Sequence, residues 1–312
     1  MQHIRGLNNM KMWSRIKANH TYCGLCARHT LEKILSILAY ISLFVAINEY
    51  FEKWCENATF WQKIIKVVFL SVCMYICLYL FYILMIFKGK KVTVLNFKED
   101  HHLYICYGDL FQYNYLKNKK LPRKVVIPVN RFFDTAVDDR LIAQSSVHGQ
   151  LFKKIYEKGA DTPETLHKKV SLQLKGCIKQ RIYKKDKPQG YLNKYLIGTI
   201  AEIKDDNINY ILLGLTDFDA NLSASVTMED YVLAISKLME YCIKTSQGNP
   251  IVMPLIGGGF SKIPSPEKDI LKYLIATIQL YKNQIHNDVY IVIREDAKSE
   301  ITIANLKDYM EN

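Results

Sequence analysis

The chain has 312 residues, with 42 Lys and Arg against 30 Asp and Glu, for a formal net charge of +12. That length leaves room for one full domain and a smaller module, and the basic balance points to an anionic partner: nucleic acid, an anionic ligand or a membrane surface. The eight cysteines are scattered, two of them (Cys73 and Cys77) in a strongly apolar run, a pattern that does not fit a secreted disulfide framework and favours a reducing compartment.

Residues 1–33 are polar and basic: Arg5, Lys11, Arg15, Lys17, Arg28 and Lys33 against Glu32 alone. The basic region is long, and no small-residue cleavage site follows the apolar run, so this is not a cleavable signal peptide. Within it His20, Cys23, Cys26 and His29 recur at every third position. These are zinc-ligand types, but ligands repeating every three residues on one short segment close poorly into a tetrahedron. Reduced juxtamembrane cysteines or an acylation site are the alternative. Neither a metal nor a cofactor is expected.

Two apolar segments occupy 34–88. Val67–Phe87 is free of charges and close to the ~20 residues that cross a hydrocarbon core; Lys88, Lys90 and Lys91 close it. Ile34–Asn48 is also charge-free but short, and reaches spanning length only over 31–51, with Lys33 and Glu49 snorkelling at its ends. The expectation is a transmembrane hairpin with helices at 31–51 and 64–87; one span plus an interfacial helix is the alternative. Basic flanks on both outer ends and a slightly acidic connector (Glu49, Glu52, Lys53, Glu56, Lys63) put both termini in the cytoplasm. Tyr50, Trp54 and Trp61 suit the interfacial belt on the far side. No charge lies within Ile34–Asn48 or Val67–Phe87, so nothing marks an ion pathway. A lone hairpin is too thin for a channel, and permeabilisation would need several copies.

From about 89 to 312 the composition is that of an α/β domain. Val92–Phe97 and Leu103–Tyr107 read as a hairpin. Val125–Val129, Tyr195–Ile200, Tyr210–Leu215, Ile251–Ile256 and Val289–Ile293 read as further strands. Helical patterns run through Leu141–Ile155, from Thr162-Pro163-Glu164, over Met228–Lys244 and Pro266–Tyr281, and from about Ile303. Lys184–Gly190 is a charged turn and Thr216–Ser225 a polar loop. Strands alternating with helices indicate a mixed or parallel sheet covered on both faces.

In such sheets ligands bind outside the carboxyl ends of the strands. Asp109 follows Leu103–Tyr107, Asn130 ends Val125–Val129, and Gly257-Gly258-Gly259-Phe260 follows Ile251–Ile256. A glycine triplet by itself is compatible with a tight turn. After a buried strand, in company with a carboxylate, an amide and an aromatic ring, it fits a nucleotide pocket: a cradle of backbone N–H groups for phosphate, a carboxylate for an exocyclic amine and a ring for stacking. Phe260 serves equally as a core residue. Asp109 has the alternative of capping its own segment, and Asn130 that of satisfying its own turn. Asp134 and Asp138 have that of capping a helix beginning near Val137. Ser145, Ser146 and His148 have that of forming a helix end capped by Gly149.

Three motifs carry a resemblance. Gly108-Asp109-Leu110-Phe111, Val126-Ile127-Pro128-Val129-Asn130 and Pro254-Leu255-Ile256-Gly257-Gly258-Gly259-Phe260 resemble, in that order, the adenine-binding, ribose and phosphate-loop motifs of macrodomains, the ADP-ribose-binding modules. The departures are specific. Asn130 is followed by Arg131-Phe132-Phe133-Asp134 without a second Asn, and the family's first glycine loop is replaced by Val137-Asp138-Asp139-Arg140 through Ser145-Ser146-Val147-His148-Gly149. Macrodomain hydrolases use those elements to orient water, so their loss argues against an enzyme. Together with Phe133-Asp134-Thr135, Leu215-Thr216-Asp217-Phe218-Asp219 and two apolar segments ahead of the domain, the pattern is similar to the divergent macrodomains of bacterial Thoeris anti-phage defence, in their membrane-anchored effector branch.

That resemblance implies a two-span effector of the inner membrane. Its macrodomain would sense an ADP-ribose-type signal, histidine-linked ADP-ribose, made by a TIR-domain partner that consumes NAD. Assembly into a homo-oligomer would then disrupt the lipid bilayer and abort infection. The implied ligand contacts are Asp109, Phe111, Asn130, Thr135, Asp138, Ser145, Ser146, His148, Gly149, Leu255, Gly257, Gly258, Gly259 and Phe260, with no catalytic residue. A membrane-tethered ADP-ribosyl hydrolase is the alternative. A nucleic-acid binder is disfavoured, because the positive charge is spread and no nucleic-acid motif is present.

Overall fold

A computed structural model describes residues 91–301 except 117, 119, 120 and 262, together with scattered positions from 39 to 79. Nearly all of the expected span at 31–51, the second span beyond 79, the His20–His29 cluster and the helix expected from Ile303 lie outside the described residues. The chain divides into two units, Lys91–Arg294 and a second that takes in residues before Lys91 and from Glu295 onward. In the second unit the described positions from 60 to 79 are helical, and Phe60, Trp61, Ile65, Val68 and Phe69 among them are exposed. Among the described residues no helix is long and apolar enough to cross a membrane.

Lys91–Arg294 is an α/β domain. Its strands in chain order are β1 (Lys91–Asn96), β2 (His102–Tyr107), β3 (Arg123–Asn130), β4 (Lys179–Arg181), β5 (Asn193–Tyr195), β6 (Ile200–Asp205), β7 (Ile208–Phe218), β8 (Ala224–Ser225), β9 (Ile251–Pro254) and β10 (Val289–Ile293). Its helices are α1 (Val147–Glu157), α2 (Pro163–Gln173), α3 (Met228–Thr245) and α4 (Glu267–Leu280). The main sheet runs β1-β2-β10-β9-β3-β7-β6, with β8 paired to β7; β4 and β5 form a separate ribbon. The neighbours from β2 through β10, β9 and β3 to β7 are parallel. Antiparallel β1 and β6 close the two edges, so the sheet is mixed, as expected.

Strand alternation sorts the core. Tyr104, Cys106, Val125, Ile127, Val129, Tyr210, Leu212, Val252, Tyr290 and Val292 meet Leu151, Phe152 and Ile155 of α1 and Leu166 and Val170 of α2. The intervening buried residues, such as Ile105, Val126, Ile211, Met253 and Ile291, belong to the opposite face. There α3 packs on β7 and against α4, with Tyr231, Ala234, Ile235, Leu238, Met239 and Cys242 all buried. α1, α2 and α3 each start where a Ser or Thr side chain caps one of the first orphan N–H groups, whereas α4 follows Pro266 with no side-chain cap. Thr227 caps α3 by accepting from the Asp230 amide at 3.2 Å. Thr162 and Thr165 form a capping box at α2, with Pro163 in its first turn.

Three expectations are corrected. The helix expected through Leu141–Ile155 begins only at Val147. Upstream, Asp138 Oδ1 accepts from the amides of Arg140 and Leu141, and Asp139 Oδ1 from that of Gln144. Side chains that satisfy the backbone locally compete with a helix. Neither Asp134 nor Asp138 caps it; Ser146 does, accepting from the Gly149 amide at 3.0 Å. This segment is therefore a helix start and not a helix end. The strand expected over Tyr195–Ile200 is two strands, β5 and β6, separated by a turn at Leu196–Thr199 in which Gly198 has φ +73. The polar loop expected at Thr216–Ser225 is largely a hairpin. β7 continues to Phe218, whose ring stacks on Phe132, and β8 returns beside it across a turn held by Asp219 Oδ1.

Candidate functional site

Because β2, β10, β9, β3 and β7 are parallel, their carboxyl ends share one rim. Across it, in sheet order, stand Asp109, Arg294, the Gly257–Gly259 loop, Asn130 and Thr216–Phe218. The exits of β2 and β9 are both tied to β10: the Gly108 amide donates to the Ile293 carbonyl at 2.9 Å, and the Leu255 amide to that of Val292 at 3.1 Å.

Asp109 is exposed, and its carboxylate accepts from the Phe111 amide at 2.8 Å and from Gln112 Nε2 at 3.3 Å. It thus caps its own turn while remaining reachable. Phe111 is buried, with the Lys154 ammonium 4.5 Å from its ring centre.

Asn130 sits at a register shift, where Val129 pairs with Gly214 but Asn130 with Thr216. The extra residue on β7 is a bulge, a device that re-aims a side chain at a strand end. Asn130 is nearly buried, and its Oδ1 accepts from the amides of Phe132 (3.1 Å) and Asp134 (3.3 Å). This knits a turn in which Phe133 takes φ +50, a costly conformation for an aromatic residue.

The same turn leads to a buried ion pair. Asp134 and Lys187 both have side chains with 0% exposure; the ammonium lies 2.9 Å from Oδ2 and also donates to the carbonyls of Gln189 (2.7 Å) and Tyr191 (3.0 Å). Lys187 thus turns the expected charged turn inward. Burial pushes the Asp134 carboxyl up and the Lys187 ammonium down, and each partner's charge opposes the other's shift. Gly190, at φ +81, is required here, since a Cβ would lie 2.3 Å from Asp134 Oδ1 and 2.5 Å from Lys187 Nζ.

Thr135 is enclosed, not on the rim: its hydroxyl donates to the Pro163 carbonyl at 2.8 Å, and its own carbonyl accepts from the Tyr156 hydroxyl at 2.6 Å. Asp138 is exposed and accepts from Gln189 Nε2 at 2.9 Å as well as from its own turn. Ser145 is exposed and Ser146 is the α1 cap. His148 is buried with its ring edge-on to Phe152, and burial pushes its imidazole down to about 3. It is a neutral packing residue at ordinary pH. Gly149 is close-packed, since a Cβ there would fall 2.2 Å from the Ala143 carbonyl oxygen.

The glycine loop combines φ +98 at Gly257 with φ +76 at Gly259, a backbone that L side chains rarely adopt. Leu255 is buried, and its carbonyl accepts from the Gly258 amide at 3.1 Å. Phe260 continues into a short 3-10 turn at Gly259–Ser261. Among the described residues no group of three His, Cys, Asp or Glu side chains could hold a metal ion.

Two arginines join the rim beyond the residues expected from sequence. Arg294 leaves Val289–Ile293 as Asp109 leaves its own strand, so the same strand-end rule selects it, and Arg131 donates from Nε to the Tyr195 carbonyl at 2.9 Å, with Nη1 3.7 Å from Asp217 Oδ2. Lys187 carried no local signal, because its partner is more than fifty residues away.

A mixed sheet between helices, with a glycine loop and a bulged Asn on its carboxyl rim, defines a macrodomain-type domain. The family described as "Thoeris protein ThsA, Macro domain" matches residues 103–294, and the chain belongs to it. Over 295 residues, 91% of this chain and 90% of the relative, it is 23% identical to the Thoeris protein ThsA of Bacillus amyloliquefaciens strain Y2. Among solved structures it is similar to an Oceanobacillus iheyensis macrodomain mutant with ADPR, at 15% identity and a TM-score of 0.46 over 71% of this chain and 100% of that one. The same macrodomain with ADP aligns at 13% identity and a TM-score of 0.41, over 71% of this chain and 97% of that one.

Proposed function

We propose that this protein is a Thoeris effector whose Lys91–Arg294 domain binds an ADP-ribose-type nucleotide as a signal and does not turn it over. The observation that carries the reading is the shared rim, where exposed Asp109, the Gly257–Gly259 loop and Asn130 stand at the ends of parallel strands. Asp109 suits the adenine amine and the glycine loop the diphosphate. Membership of the ThsA macro-domain family supports the same reading. Sensing without turnover is supported by the segment between β3 and α1: Asp138 is committed to its own turn and to Gln189, and His148 is buried and neutral.

In the finer reading, a TIR-domain partner makes the ligand, histidine-linked ADP-ribose, and the chain sits in the bacterial inner membrane with both termini cytoplasmic. Binding drives self-assembly, and assembly disrupts the bilayer. The charge-free run Val67–Phe87 and the exposed apolar side chains at 60–76 support anchoring. Binding shifts assembly only if the ligand's affinity differs between the assembled and unassembled states.

Isothermal titration of the purified full chain with ADP-ribose and with histidine-linked ADP-ribose tests the reading. Saturable binding is expected, and Gly258→Glu, which sets a carboxylate in the cradle beside Glu267, should abolish it in a folded protein. Absence of heat and of thermal shift at millimolar ligand would refute the sensor. Release of ribose products from an ADP-ribosylated substrate would instead assign the hydrolase.

A further inference from the structure

We infer that Arg294 is a ligand-binding residue that grips the nucleotide's diphosphate, and that Glu267 is a built-in competitor for it. This rests on reading the rim as a diphosphate site. β10 lies between β2 and β9, so the residue leaving its carboxyl end stands between Asp109 and the glycine loop. Arg294 Nη2 donates to Glu267 Oε1 at 3.0 Å. The pair lies against the two glycines that keep the loop bare: a Cβ on Gly259 would be 3.7 Å from Arg294 Nη1, and one on Gly258 only 2.9 Å from Glu267 Oε1. The guanidinium side chain is 59% exposed and the carboxylate 15%, so the cation faces the solvent from which a ligand arrives.

A guanidinium presents five N–H donors in a planar fork and can serve a carboxylate and a phosphate together. The Glu267 carboxylate beside the loop repels an anion, and Arg294 offsets that repulsion. The two residues therefore have opposite effects on affinity. Losing a charge-assisted contact in Arg294→Gln should weaken ADP-ribose binding about 10- to 100-fold. Removing the opposing charge in Glu267→Gln should tighten it about 3- to 10-fold. An ion pair that only braces the loop predicts that both variants bind more weakly and melt lower.

The test is titration of the full chain and both variants with ADP-ribose and with adenosine, alongside thermal unfolding. The expected result is opposite shifts for ADP-ribose, an affinity for adenosine unchanged by either substitution, and a steeper salt dependence in the wild type than in Arg294→Gln. Arg294→Gln binding ADP-ribose within about twofold of wild type, or both variants weakening together, overturns the inference. An equal loss for adenosine also overturns it, because it would place Arg294 on the base. If the wild type binds no ADP-ribose, the rim reading fails first and this inference fails with it, whereas wild-type binding with unmoved variants removes the inference alone.

Discussion

His148 shows how far one buried residue can differ from its look in sequence. Beside Ser145, Ser146 and Gly149 it reads as a pocket residue; in the fold it packs on Phe152, and burial pushes its imidazole from 6.5 down to about 3. The unfolded chain therefore binds a proton that the folded chain refuses. His148's stabilising contribution is whole above about pH 6.5 and is lost as pH falls toward 3, at up to about 1.4 kcal/mol per pH unit. His148→Phe should flatten the fall in urea midpoint between pH 6 and 4; parallel curves for the two proteins would exclude this role. Asn130 carries a different lesson. Its carbonyl oxygen holds two buried amides of the Phe132–Asp134 turn, so removing that side chain perturbs the rim itself as well as any ligand contact.

At the scale of the element, the glycine loop is not uniform. Gly257 has φ +98, and a Cβ would lie 2.2 Å from Ile263 Cδ1 and 3.1 Å from the Tyr231 ring. Gly258 has no positive φ, and a Cβ there meets chiefly the end of the Glu267 side chain. Gly257→Ala should therefore cost about 1–3 kcal/mol, while Gly258→Ala should stay within about 1 kcal/mol of wild type. Chemical unfolding of both variants checks this, and equal losses would refute it. Gly258 is accordingly the position at which to perturb binding without perturbing the fold. The segment between β3 and α1 follows the same logic in reverse: Asp138 and Asp139 use their carboxylates to build turns, and α1 starts only at Val147, six residues after Leu141, where Ser146 caps it.

At the scale of the whole domain, the buried Lys187–Asp134 pair joins the turn after β3 to the segment before β5. Removing one partner leaves an uncompensated charge, so Lys187→Met should cost about 3–5 kcal/mol. Pairing it with Asp134→Leu should recover part of that loss, since two apolar groups need no charge partner. Urea unfolding of the single and double variants measures it, and additive losses would show that the pair does not act as a unit. Lys187 also contacts the faces of Phe132 and Phe218, so the clasp links the Asn130 turn to the end of β7 and fixes part of the rim.

The local periodicities of the chain were enough to place β2, β3, β9, β10, α3 and α4, because each is a run whose apolar spacing and end signals agree. The strand-end rule then brought Asp109, Asn130 and the glycine loop to one rim, and parallel pairing requires that convergence. What only the tertiary structure decided is which polar residues are consumed inside and which find a partner at the rim. Thr135 and His148 turn inward and Lys187 finds Asp134 in the interior, whereas Arg294 meets Glu267 beside the loop and stays exposed. A charged or hydroxyl side chain looks alike in sequence whether it faces water or a partner many residues away. Its environment is set by contacts that form only when distant segments meet, and burial then decides its charge and its use.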